Sequence, residues 1–201
     1  MSMDPQSFTW RTYAWSKFFD SESIKTINEL IESEFVGEED KDLGAKSNGK
    51  AIKNISSVKH IPYGKIKHLM SEFVGYVYQV AELDFGYVTF TPHDNLYLNF
   101  NTYESASKDE YPWHIDSSRQ ATNDIKLTVL INLSTEPFTG GEFQIFPSDG
   151  AVDIPMLSEP GSAFMFKSHI LHRVKPVTSG TRKTLTMFVY GPRFSWVTTY
   201  S

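Results

Sequence analysis

From residue 87 onward the chain is a succession of short runs rich in Val, Ile, Thr, Phe and Tyr, the residues that favour extended backbone. Gly140-Gly141, Ser148-Asp149-Gly150, Pro160-Gly161 and Ser179-Gly180 supply the breaks. Strands are expected near 87–91, 95–103, 112–116, 126–133, 142–146, 151–155, 162–168, 172–177 and 183–191. So many short, evenly spaced strands in about 100 residues imply a double-sheet jelly roll rather than a parallel sheet with helices.

Two helical patterns precede them. Ile24, Ile27, Ile31 and Phe35 fall at helical spacing behind a capping Asp20 or Ser21. Ile66, Leu69, Met70, Phe73, Val77 and Val80 line one face of a second helix opening at Pro62. Ala51 to Ile61 is expected to return to the body as a strand. The expected fold is mainly β with N-terminal helices: a double-stranded β-helix (jelly roll, cupin-like) packed by two or more helices. The 201 residues suit a single domain, with helical support and flanking strands over about 1–94 and the core over about 95–192.

A formal net charge of -5 gives no electrostatic footprint for general nucleic-acid binding. With no cysteine there is no disulfide framework and no thiolate metal site. Nothing resembles an export signal or a membrane span, so a soluble, cytoplasmic protein is expected.

Within this frame His114-Ile-Asp116 stands out. Two residues apart on a strand, both side chains project from one face and can grip one ion. Such a tripeptide arises readily by chance, and its weight comes from the residues downstream of it. His169 and His172 compete for a third ligand position. The apolar continuation through Val174 and Val177, and the distance from Arg182, favour His172 and leave His169 as a loop residue. Two histidines and a carboxylate hold non-haem Fe(II) on one face and leave the opposite positions open. His60, His68 and His93 have no partner at ligand spacing. Arg182 begins a strand, where an inward guanidinium is costly without an anion and favourable with a bidentate carboxylate. The distal carboxylate of 2-oxoglutarate is such an anion. Thr186 shares that face and can donate to the same carboxylate, while Lys183 faces the other way. Trp113 is expected to face away from the metal and pack in the core.

The run Thr139-Gly-Gly-Glu-Phe-Gln-Ile-Phe-Pro147, then Phe164-Met-Phe-Lys-Ser168, then His172-Arg-Val-Lys-Pro-Val-Thr-Ser-Gly-Thr-Arg182, resembles the catalytic domain of prolyl 4-hydroxylase-type Fe(II)/2-oxoglutarate dioxygenases. Leu98-Asn-Phe-Asn-Thr-Tyr103 resembles the strand carrying that family's cosubstrate tyrosine, and Ile125 to Leu133 its next core strand. The resemblance implies that His114, Asp116 and His172 bind iron and that Arg182 binds the distal carboxylate. It further implies hydrogen bonds to that carboxylate from Tyr103 and Thr186, with Thr128 and Phe143 lining the cosubstrate pocket. Asn132 stands where many members have a tyrosine that touches the cosubstrate.

The implied reaction consumes O2 and 2-oxoglutarate, releases succinate and CO2, and returns a hydroxyl to a C–H bond, with ascorbate admitted as an auxiliary reductant. A prolyl residue of a protein or peptide is the favoured substrate. A free amino acid, another side chain, a small metabolite or an alkylated nucleobase could use the same centre, since fold does not fix function. A non-catalytic binding module would be expected to lack a ligand or the arginine, and all four residues are present. Gly37 to Lys50, Glu104 to Glu110 and Ser117 to Asp124 are expected as loops over the barrel mouth.

Overall fold

The computed structural model describes residues 13–35, 40–41, 46–47, 50–51, 56–116 and 123–193. β1 (Tyr13–Lys17) leads into α1 (Ser21–Glu34), opened by Asp20, whose carboxylate accepts the Ser23 amide at 2.8 Å. That bond satisfies an otherwise orphaned donor of the first turn. The short strands β2 (Asp40–Lys41), β3 (Lys46–Ser47) and β4 (Lys50–Ala51) follow, then β5 (Ser57–Pro62) and α2 (Tyr63–Leu83). The β-rich part contains β6 (Tyr97–Glu104), β7 (Tyr111–His114), β8 (Asn123–Asn132), β9 (Thr139–Gly140), β10 (Phe143–Phe146) and β11 (Val152–Asp153). It ends with β12 (Ser162–Lys167), β13 (Leu171–Val174), β14 (Val177–Ser179) and β15 (Thr181–Pro192).

The major sheet runs β1-β12-β8-β15-β6-β5-β2 and the minor sheet β11-β10-β13-β7; every pairing is antiparallel. Alternation gives the major sheet two unlike faces. Leu98 and Phe100, Leu127, Val129 and Ile131, and Leu185, Met187 and Val189 pack beneath the two helices, on Ile27, Ile31, Ile66 and Phe73. The other face meets the minor sheet, where Leu130, Phe164 and Phe166 pack with Phe143, Ile145 and Val174. This is the expected jelly roll with two helices on its back. Among the described residues no helix is long and apolar enough to cross a membrane.

Four expectations change. Residues 87–91 form no strand. β6 covers β15 only as far as Thr186, and the segment lies beside the edge left free with a single ladder-like bond, Phe90 N–H to the Tyr190 carbonyl at 2.8 Å. The strand expected over 172–177 is two strands broken at Pro176, which has no N–H to donate. β7 stops at His114, so Asp116 lies beyond it. Glu104 to Glu110 does not overhang the metal-ligand end. A 3-10 turn, Ser105–Ser107, and the Ser105 amide on the Gly180 carbonyl tie it to the Arg182 end. Of Gly37 to Lys50, only the backbone pairings β2 with β5 and β3 with β4 are described; of Ser117 to Asp124, residues 117–122 lie outside the described residues.

The junction of β1 and α1 depends on Gly161. Its carbonyl accepts the Phe18 and Phe19 amides at 3.1 and 3.2 Å, its φ is +81°, and a Cβ there would strike the Phe19 carbonyl. Gly161→Ala is therefore expected to destabilise the fold by about 2 kcal/mol or more. Denaturant melts check this, and an unchanged midpoint would contradict the close approach.

Candidate metal centre and its surroundings

His114 and His172 face each other across the β7–β13 pairing, ring centroids 4.1 Å apart. The register shifts between His172 and Val174, so that Tyr111 opposes Val174 while two residues, Pro112 and Trp113, span the interval to His114. Proline is tolerated because β7 is an edge strand at a bulge. The irregularity lets Tyr111 and His114 both line the inner cavity, their rings 4.0 Å apart. Trp113 faces away from the ligands as expected. It packs on the outer surface of the minor sheet rather than in the core, against the Arg173 guanidinium at 4.7 Å and edge-on to Phe146.

Each histidine is held the same way. His114 Nδ1 lies 2.8 Å from the Pro112 carbonyl and His172 Nδ1 2.9 Å from the Ile170 carbonyl. A carbonyl only accepts, so each Nδ1 carries the proton and each Nε2 presents its lone pair. Those Nε2 atoms lie 3.5 and 3.3 Å from the two carboxylate oxygens of Asp116. Asp116 keeps its place without a strand: its amide donates to the Ser168 carbonyl at 3.0 Å, and Thr128 Oγ1 donates to its Oδ2 at 2.6 Å. The ligand atoms of His114, Asp116 and His172 all lie within 4.8 Å of one another, a spacing that suits one shared ion. His169 is exposed in the turn after β12 and is not part of this cluster.

Burial pushes the Asp116 carboxyl up, but the adjacent His114 and His172 rings and the Thr128 hydroxyl outweigh it and hold the group below its usual value. Burial, aided by His114, lowers His172 to about 4 against the attraction of Asp116. At neutral pH this is a carboxylate with neutral imidazole beside it, the protonation state that metal ligation requires.

Arg182 pairs with Tyr103 across β15 and β6, is 2% exposed, and sets its guanidinium 5.2 Å from the Tyr103 ring centroid. Among the described residues no carboxylate forms an ion pair with it. Burial accordingly pushes its pKa down. A buried charge left so is expensive, and an anionic ligand would relieve the cost. Phe143 lines both the metal-side cavity, about 70 Å³, and a cavity of about 250 Å³ beside Arg182. Thr186 lines the metal-side cavity with Tyr103 and accepts from Asn101 Nδ2 at 3.2 Å. Lys183 points the opposite way, to Glu32 of α1. Asn132, 0% exposed, spends its amide on backbone: Nδ2 donates to the Leu157 and Ser158 carbonyls at 3.0 Å each, and Oδ1 accepts from Ser134 N–H at 2.9 Å.

Asn99, Asn101 and Tyr111 also line the metal-side cavity. Alternation backwards from Tyr103 marks the two asparagines in the sequence; Tyr111 depends on the bulge, which leaves no such mark.

Thr128→Val keeps the side-chain volume and removes the bond to Asp116. It is expected to weaken Fe(II) or Co(II) binding about 10- to 100-fold at unchanged circular dichroism; unaltered affinity would refute the anchoring role. Acidification supplies a second check. Metal-free folded protein takes up the His172 proton only near pH 4, the unfolded chain near 6.5. Stability should therefore fall as pH drops from about 6.5 to 4, and His172→Gln should flatten that fall. Superimposable Tm–pH profiles would contradict it.

Residues 98–190 match the family description 2OG-Fe(II) oxygenase superfamily. A PKHD-type hydroxylase of Acaryochloris marina is 34% identical over 87 residues, which are 42% of this chain and 37% of that protein, so the chain spans well under half the length of this curated relative. Among solved structures, a prolyl-4-hydroxylase of Pseudomonas putida superposes with TM-score 0.67 at 15% identity, over 92% of this chain and 94% of that one. A Trichoplax adhaerens prolyl hydroxylase, in complex with a hypoxia inducible factor oxygen degradation domain peptide fragment, gives 0.67 at 18% identity over 89% and 83%. Those two likenesses establish a shared fold. The family match, just under half of the chain, spans His114, Asp116, His172 and Arg182, so the part of the chain that carries the candidate site is what resembles the 2OG-Fe(II) oxygenase superfamily.

Proposed function

We propose that this chain is an Fe(II)- and 2-oxoglutarate-dependent dioxygenase that hydroxylates a C–H bond in a polypeptide, with a prolyl residue as first choice. The observation that carries the reading is the pairing of a three-donor cluster with a buried guanidinium that has no carboxylate partner among the described residues, inside one barrel. Only a ligand set that binds metal and a dicarboxylate together makes use of both. The named activities of the relatives support a hydroxylase, and the peptide complex of the Trichoplax protein supports a polypeptide substrate. The reading treats residues 1–201 as one unit, with α1 and α2 stiffening the sheet that bears Arg182, and places the protein in a reducing cytoplasm, consistent with its lack of cysteine.

In this mechanism His114 Nε2, the Asp116 carboxylate and His172 Nε2 would hold the metal. Arg182 clamps the distal carboxylate of 2-oxoglutarate, with the Thr186 hydroxyl and Tyr103 beside it. Bound Fe(II), 2-oxoglutarate and O2 together supply oxidative decarboxylation to succinate and CO2 and the transfer of one oxygen atom to the target C–H. Phe143, Phe166 and Leu130 keep the surroundings dry, which strengthens each charged contact. Phe143 and Phe166 also buttress the His172 ring, at 5.6 and 4.7 Å between centroids, fixing the direction of its Nε2.

Anaerobic addition of Fe(II) and 2-oxoglutarate is expected to produce the weak visible charge-transfer band of the chelate; no band, and no succinate above an iron-free control, would sink the proposal. His114→Ala and His172→Ala should abolish succinate formation, whereas His169→Ala should retain it. Arg182→Ala should raise the required 2-oxoglutarate concentration about 30-fold or more, equivalent to about 2 kcal/mol. Mass spectrometry of incubated peptides, seeking one added oxygen and its position, tests the prolyl assignment.

A further inference from the structure

Next to the metal-side cavity lies a larger open one of about 600 Å³, and the two share Asn99 and Phe188. It occupies the end of the barrel away from Arg182, where β6 begins, β8 begins and β15 ends. Five aromatic residues form its walls: Tyr78 of α2, Phe90, Tyr97, Phe188 and Tyr190. Asn95, Asn99 and Asn123 add amides, and among the described residues no Asp, Glu, Lys or Arg lines it. The nearby charges are turned elsewhere. Asp94, the one carboxylate of the Tyr87 to Tyr97 segment, pairs with Lys67 at 3.0 Å, and Asp124 lies 3.6 Å from Lys126. Burial pushes the Tyr78 phenol up to about 12, so it too stays neutral.

The rim is held in place before any ligand arrives. Leu96 O accepts the Tyr63 amide at 2.7 Å, Asp94 O accepts the Gly64 amide at 2.8 Å, and the Phe90 amide reaches Tyr190 O. The aromatic surface also extends outward, with Phe90 43% and Tyr97 56% exposed. A small molecule seated by the metal would leave those outer ring faces uncovered, whereas an extended chain would cover them.

We propose that this groove docks the residues flanking the target in a polypeptide substrate and selects an uncharged segment. Backbone N–H and C=O groups match the asparagine amides, aliphatic or proline rings match the aromatic faces, and a charged flank would be desolvated without a counter-charge. The proposal rests on the oxygenase reading for its target position, but the docking can be measured separately.

The test uses the full chain with Fe(II) and 2-oxoglutarate under anaerobic conditions, titrated calorimetrically with short blocked peptides whose central proline is flanked by alanine, aspartate or lysine. The alanine-flanked peptide is expected to bind at least ~10-fold more tightly than either charged one. Phe90→Asp and Tyr97→Asp lie on the exposed rim, so the fold should survive. Each should weaken the neutral peptide at least ~10-fold, and Tyr97→Asp should improve the lysine-flanked one, while the charge-transfer band persists. If the native chain shows no band, the oxygenase reading fails and the docking result still stands. A normal band with peptide affinities indifferent to flanking charge and to both variants overturns the groove. Equal affinity for N-acetylprolinamide and the alanine-flanked peptide overturns the polypeptide occupant.

Discussion

Strand alternation in β6, β8 and β15 divides two incompatible tasks by a single residue. Leu98, Leu127 and Leu185 lie in the layer under the helices, while their neighbours Asn99, Thr128 and Thr186 line the metal-side cavity. A slip of one residue in any pairing would carry Thr128 or Arg182 into the apolar layer and put leucines around the ligands. Core packing and site chemistry therefore enforce the same register. That coincidence holds the Arg182 guanidinium on the cavity side, beside Tyr103.

The three candidate ligands are arranged by backbone more than by other side chains. The carbonyls of Pro112 and Ile170 each stand two residues before a histidine and fix its tautomer, so paired strands β7 and β13 deliver two similarly oriented Nε2 atoms. Asp116 is the exception, since its strand has already ended. The Thr128 hydroxyl and the Ser168 carbonyl replace the missing sheet bonds. Fixing the ligands in this way removes side-chain entropy that metal binding would otherwise have to overcome.

The layered fold, the two helices and the inward faces of β6, β8 and β15 were legible because each rests on local periodicity. His114, Asp116, His172 and Arg182 were legible as residue types at suggestive spacing, and strand direction placed Thr186 with Arg182 and Lys183 opposite. What was not legible depends on irregularity or on distant backbone. The bulge at Pro112-Trp113 changes which residues face inward, and alternation alone would have turned Tyr111 away from the ligands. Thr128 was expected to line the cosubstrate pocket, and its bond to Asp116 requires knowing that the chain leaves the sheet after His114. Asn132 looked like a lost cosubstrate contact. Its bonds to Leu157, Ser158 and Ser134 show an amide fully engaged in closing two turns, a role set largely by residues more than twenty positions away.

The two ends of the barrel differ in charge, and the difference bears on how one cavity system could admit two ligands in their proper places. At one end Arg182 is buried with no carboxylate partner among the described residues, so a dicarboxylate would gain a charge-assisted pair there. At the other end no Lys or Arg lines the cavity among the described residues, and the same dicarboxylate would shed its hydration there without such a partner. An uncharged segment faces the opposite balance: it loses little at the aromatic end and has no use for the guanidinium. On the proposed reading, the metal lies between a compartment that favours an anion and one that disfavours it. Desolvation cost then steers each ligand to its own end.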